Sequence, residues 1–368
     1  MPEETLPGAG MADGTPSSPA HRRPRRRKRR SRAKTYAALD LGTNNCRLLI
    51  ACPTDGGFRV VDSYSKAVKL GTGLQKTGRL SDESMAAAVN AIGVCANKMK
   101  SKSVQRWRCV ATQACRTADN CDEFMSRVKD ETGITLEIIS PRVEARLSVM
   151  GCINLIDTSK DVALVIDTGG GSTELSWVDV RKLREQKGVF SAFRPPISAW
   201  TSLPIGVVSL SERVPEHENR KAWYEDLKQV VRDTLVEKNA HTRFTNVFKA
   251  GNGHLIGTSG TITSLAGIYQ NLPYYQRDKV DASWMPSKNA VEICRHMAGL
   301  SFQERAKEPC IGEDRAKLLV AGCAITDVIC EMWPSQEIRV ADRGLREGIL
   351  MGLMQRTQKL DLNGAENE

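Results

Sequence analysis

Apolar and polar positions alternate so as to predict three consecutive strands where the fold begins: YAALDL (36–41), CRLLIAC (46–52) and FRVVDSY (58–64), divided by glycine-containing turns. Ser81, followed by Asp82 and Glu83, fits a helix N-cap, and small and apolar residues at helical spacing carry that helix to about Met99. The pattern then predicts a strand at 106–111, a helix at 120–132 ended by Gly133, a strand ITLEIIS (134–140) and a helix over 143–153. Pro141 stops the strand and suits a helix start. A second strand pair follows, VALVID (162–167) and STELSWV (172–178), and a long connection over 181–200 contains Pro195-Pro196. Helical patterns at 219–238, 261–270, 288–299, 313–331 and 342–356, with short strands near 253–257 and 336–340, predict a helix-rich second half around a small sheet.

The chain repeats itself. ALDLGTNNCRLLI (38–50) superposes on VIDTGGGSTELSWV (165–178) at a separation of 127 residues, each copy placing an aspartate at the end of an apolar strand before a tight glycine turn. A duplicated strand–turn–strand unit points to an α/β fold built twice, which the length of 368 residues accommodates.

Charge changes the picture at one end only. The net charge is +10, but residues 1–34 hold ten basic residues against three acidic ones, so the body carries only +3. With Pro, Gly, Ser and Arg and almost no large apolar side chain, 1–34 is expected to be a disordered basic tail, and its RRPRRRKRR run (22–30) could contact RNA or another polyanion without sequence preference. No run approaches the ~18 apolar residues of a membrane span, and the N-terminus lacks the apolar region of a secretory signal, so a cytoplasmic protein without membrane contact is expected. Eleven cysteines with no C-x-x-C pair read as reduced thiols.

Three polar glycine turns could carry chemistry. In DTGGGSTE (167–174), Gly169, Gly170 and Gly171 followed by Ser172 and Thr173 let backbone N–H groups approach an anion, phosphate by preference. Asp167 and Glu174 would repel phosphate unless a divalent cation such as Mg²⁺ bridged them. The first copy offers Asp40, Gly42, Thr43, Asn44 and Asn45, and a third turn, Gly257 to Thr261 with Ser259 and Gly260, ends a strand and opens a helix. A single such turn is more often structural than functional; three of one style favour phosphate binding, and no Walker A motif is present.

Six segments in one order, YAALDLGTNNCRLLIA, ATQACRTADN, EIISPRVEARL, VIDTGGGSTEL, IGTSGT and DRGLREGILMG, together resemble the exopolyphosphatase/guanosine pentaphosphate phosphohydrolase family over about residues 36–356. The resemblance implies two ribonuclease-H-like α/β domains of the actin, Hsp70 and sugar-kinase superfamily with an interdomain cleft: 35–158, 159–340 and a C-terminal helix over 341–358 returning to the first domain. It implies release of terminal orthophosphate from inorganic polyphosphate or from the 5′-triphosphate of guanosine pentaphosphate. Glu144, in the E-A-R motif, would be the general base; Asp40, Asp167 and Glu174 would form the Mg²⁺ shell, and Arg116 would clamp the phosphate chain. Dimers are common among such proteins, so a homodimer is a further expectation, and the chain would consist of the shared core without a further helical domain.

Pro141, Arg142 and Val143 depart from the family's pattern of small and acidic residues, which makes the field around Glu144 less negative, and Lys317 stands where relatives tend to carry an acid. Alternative readings are an ATP-dependent kinase or ATPase of the same superfamily, and a catalytically weak polyphosphate- or RNA-binding protein.

Overall fold

The computed structural model describes residues 34–185 and 194–365, with side chains described as far as Gln355 and the backbone alone from Arg356 on. The expected disordered tail therefore lies outside the described residues, apart from Lys34, as does part of the 181–200 connection.

Two sheets are built on one plan. In the first, β1 (Tyr36–Leu41), β2 (Asn45–Thr54) and β3 (Gly57–Ala67) run antiparallel in sequence, and β4 (Arg106–Ala111) and β5 (Glu137–Ile138) add in parallel, giving the order β3-β2-β1-β4-β5. The second contains β6 (Val162–Thr168), β7 (Thr173–Asp179), β8 (Ile197–Leu203), β9 (Gly253–Gly257), β10 (Trp284–Pro286) and β11 (Glu337–Val340). Its order β8-β7-β6-β9-β11 repeats the first, with β10 added at the edge. The two-sheet α/β architecture expected from the duplication is present.

Corrections fall on edges. The 181–200 connection contains a helix, Val180–Glu185, and the start of β8, whose half-buried alternation is a weak strand signal beside two prolines. With β8 and β10 the second sheet has six strands, so it is larger than the small sheet expected. The strand foreseen over 134–140 pairs only at Glu137–Ile138, since Ile134 and Leu136 turn instead into the core beneath the first sheet. The last helix spans Leu345–Ala365.

The central strands are buried on both faces. Ala37, Leu39 and Leu41 pack against helices Asp82–Ser101 and Cys121–Thr132, while Tyr36 and Ala38 face the other way. On that inner side lie two helices, Pro141–Cys152 and Leu345–Ala365. The first sends Leu147 and Met150 to the first sheet and Val149 and Cys152 to the second, so it serves both cores. The two helices touch through backbone: a Cβ on Gly151 would collide with the Gly344 carbonyl, and one on Gly348 with that of Leu147. All eleven cysteines are free thiols, ten of them buried.

Candidate active site

The repeated hairpins aim their turns at one place. In each, the glycine after the aspartate donates its N–H across the turn at the same length: Gly42 to the Asn45 carbonyl at 2.9 Å, and Gly169 to that of Ser172 at 2.9 Å. Thr43 of the first turn nests against the second, and a Cβ on Gly170 would stand 2.9 Å from Thr43 Cβ. The third turn follows β9, where Ser259 caps helix Gly260–Tyr269 by accepting the Ile262 N–H. All three turns border a cavity of about 320 Å³.

Of the residues singled out in the sequence, Asp40, Gly42, Thr43, Asn44, Asn45, Glu144, Asp167, Gly169, Gly170, Gly171, Ser172, Ser259 and Gly260 line this cavity. Four do not. Thr173 donates its hydroxyl to the Ile205 carbonyl, and Gly257 ends β9 where a side chain would strike Ile262. Glu174, 2% exposed, accepts from Ser202 Oγ at 2.8 Å. Arg116 stands behind the cavity wall, where its Nη1 donates to Glu144 Oε2 at 2.8 Å and to the Ile139 carbonyl at 2.8 Å.

Glu144 sits in the first turn of helix Pro141–Cys152, where Ser140 as N-cap accepts the Val143 N–H and Pro141 starts the helix without wasting a donor. Burial, then the charge of Glu174, raises its pKa well above the usual carboxylate range, and the Arg116 guanidinium opposes the rise. Burial likewise pushes Asp40 up to about 6 against the charge of Arg47. It pushes Glu174 up to about 7, aided by Asp167. Asp167 is also raised by burial, although Ser148 Oγ donates to its carboxylate.

The sequence reading missed the cations and the second acidic group. Arg47 stands opposite Asp40 in the β1–β2 register, and its pKa is lowered by burial and by the guanidinium of Arg346. Arg315, Asp342, Arg343, Arg346 and Glu347 complete the cavity wall. Tyr275 donates to Asp342 Oδ2 at 2.8 Å, and Glu347 accepts the Gly344 N–H at 2.8 Å, closing the start of helix Leu345–Ala365. The signal was available in DRGLREG, a charged run between a strand and a helix.

No three His, Cys, Asp or Glu side chains among the described residues form a group able to hold a metal ion. Mg²⁺ is commonly held by one or two carboxylates, with waters and substrate oxygens supplying the rest. Asp40 and Asp167, half-buried hard-oxygen donors beside the glycine turns, fit that mode; Glu174 lies outside the cavity wall.

A strand–turn–strand unit used twice, with both turns and a helix start facing one charged cavity, defines an actin-like α/β protein. The chain belongs to the Ppx/GppA phosphatase family, whose model matches residues 49–357. Exopolyphosphatase 2 of Mycobacterium tuberculosis is 28% identical over 332 residues, covering 86% of this chain and 98% of the relative. A guanosine-5′-triphosphate,3′-diphosphate pyrophosphatase of Photobacterium profundum is 27% identical, covering 89% of this chain and 61% of that longer protein. The crystal structure of the Aquifex aeolicus Ppx/GppA family member superposes with a TM-score of 0.70 at 26% identity, covering 88% of this chain and 98% of the other.

Proposed function

We propose that the chain hydrolyses the terminal phosphoanhydride bond of inorganic polyphosphate, of the 5′-triphosphate of guanosine pentaphosphate, or of both, releasing orthophosphate. The observation that carries this reading is the meeting of three N–H-presenting turns and the buried Glu144 at one cavity. Relatives named for each of the two substrates support it.

In this mechanism the turns around Thr43, Gly170 and Ser259 receive the terminal phosphate through backbone N–H groups, which are already oriented and need no rearrangement as charge develops. Glu144 accepts a proton from water as the water oxygen bonds to phosphorus; the phosphorus–bridging oxygen bond breaks, and the electron pair leaves with the shortened chain. A carboxylate with a raised pKa is a stronger base once ionised, and Arg116 opposes the rise and fixes the carboxylate's orientation. Mg²⁺ bound at Asp40 and Asp167 would supply charge neutralisation for the phosphate oxygens.

Phosphate release from polyphosphate and from guanosine pentaphosphate, measured side by side with and without Mg²⁺, tests the reading. Glu144→Gln should lower release at least about a hundredfold, within the range for loss of a general base. Full release by that variant would remove Glu144 from the mechanism, and no release from either donor by the unaltered protein would overturn the proposal.

A further inference from the structure

Each of the two repeated turns rests on a second loop behind it. The Gly71 N–H donates to the Thr43 carbonyl at 2.8 Å, and the N–H groups of Val68 and Lys69 donate to the Asn44 carbonyl at 2.9 and 3.0 Å. The glycine turn is carried by helix Val207–Arg213: the N–H groups of Val207 and Val208 donate to the carbonyls of Gly169 and Gly170 at 3.0 and 2.8 Å. Ser209 Oγ donates to the Gly171 carbonyl at 3.2 Å. These two supports are joined: the Gly73 N–H, on a residue at φ +74°, donates to Glu212 Oε1 at 2.9 Å.

The other oxygen, Oε2, is buried and has no hydrogen-bond partner among the described residues. Glu212 is absent from the wall of the catalytic cavity, where its charge would repel phosphate, and instead faces a second cavity of about 350 Å³ behind the turns. Thr43, Gln113 and Gly171 belong to the walls of both cavities.

We infer that Glu212 is a positioning residue: its bond to Gly73 fixes the spacing of the two oxyanion turns and so sets the affinity for a phosphate group held by both. The inference rests on the proposed phosphate-binding role of those turns. It assigns no contact between Glu212 and substrate.

The test compares the unaltered protein with Glu212→Ala, Glu212→Gln and Glu212→Asp, using orthophosphate binding by calorimetry and hydrolysis of tripolyphosphate. Loss of a charge-assisted bond should weaken orthophosphate binding about tenfold in Glu212→Ala and raise KM for tripolyphosphate in parallel, with kcat changed less than about twofold. Glu212→Gln retains an acceptor for the Gly73 N–H and should restore most of the affinity; Glu212→Asp withdraws the acceptor and should resemble the alanine variant. Should Glu212→Ala fail to fold, the Gln and Asp variants carry the same comparison. Unchanged Kd and KM in Glu212→Ala or Glu212→Asp would overturn the inference, as would a glutamine variant as weak as alanine. If the unaltered protein binds orthophosphate but hydrolyses nothing, the hydrolase reading falls while the binding series still decides the role of Glu212.

Discussion

The two copies of the strand–turn–strand unit share a backbone and oppose each other in charge. Asp40 faces Arg47 across β1 and β2; at the corresponding places 127 residues later, Asp167 faces Glu174 across β6 and β7. The first copy thus pairs its carboxylate with a cation, whereas the second sets two carboxylates together; burial raises all three pKa values, with Arg47 opposing the rise of Asp40 and Asp167 adding to that of Glu174. Their turns differ too, Thr43 and Asn44 occupying the places of Gly170 and Gly171. Thr43, joined at Gly171 by Gln113, fills the space that side chains on Gly170 and Gly171 would need. Duplication supplied the geometry, and the chemistry arose from making the copies unlike.

Reversing the charge of the first copy should give the largest effect. Arg47→Glu would put a second carboxylate beside Asp40 at the cavity wall. With pair energies of ~4 kcal/mol for close charges near a protein surface, orthophosphate affinity should fall at least about a thousandfold. Calorimetry on a variant shown by circular dichroism to be folded reads this directly, and retained affinity would show that the charge contrast is incidental.

The strands beside the hairpins carry the contrast into stability. Tyr36 pairs with the exposed Arg106, and at the corresponding place Ala163 pairs with His254, which is 2% exposed. Burial lowers the pKa of His254 to about 4. The unfolded chain, with a histidine pKa of ~6.5, takes up a proton that the folded chain refuses, so stability present above that value is lost as pH falls from ~6.5 toward 4. The loss should reach about 3 kcal/mol, and urea unfolding of His254→Gln against the unaltered protein should show a shallower pH dependence. Equal slopes would remove the histidine from the account.

Steric asymmetry between the turns comes next. Gly170→Ala must move Thr43 and should cost about 2 kcal/mol, as overpacking does. At the matching place, Gly42→Ala meets only the Asn45 carbonyl at 3.6 Å and should cost less than about 1 kcal/mol. Thermal unfolding of the two variants side by side checks the difference, and equal losses would refute it. The smallest effect concerns Glu174, whose charge helps to raise the pKa of Glu144. Glu174→Gln should move the acidic limb of the pH–rate profile downward, by less than about one pH unit; a shift upward would contradict the assigned cause.

The hairpins were legible in the sequence because both their causes are local. An apolar strand, an aspartate and a glycine turn lie within a dozen residues, and the repeat of that pattern revealed the doubled fold. The motif drew attention to Glu144, which lines the cavity, but its ion pair with Arg116 went unforeseen because the bond between them spans 28 residues of chain. Arg47 was passed over as one polar position in an alternating strand, since only the β1–β2 register sets it opposite Asp40. Arg346 and Glu347 depend on still more distant information: the chain must complete the second sheet before helix Leu345–Ala365 returns to the first. β8 escaped notice because a half-buried edge strand has little periodic signal.

Where helices Pro141–Cys152 and Leu345–Ala365 meet, glycine faces backbone and no side chain intervenes. Most packing distances in a protein can drift as cores are repacked, with a methyl group here offset by a smaller residue there. This one has no such adjustable spacer. The helices whose first turns carry Glu144 and Glu347 are therefore held at these two points by peptide groups, and the separation of those two carboxylates is among the dimensions of the molecule least open to gradual change.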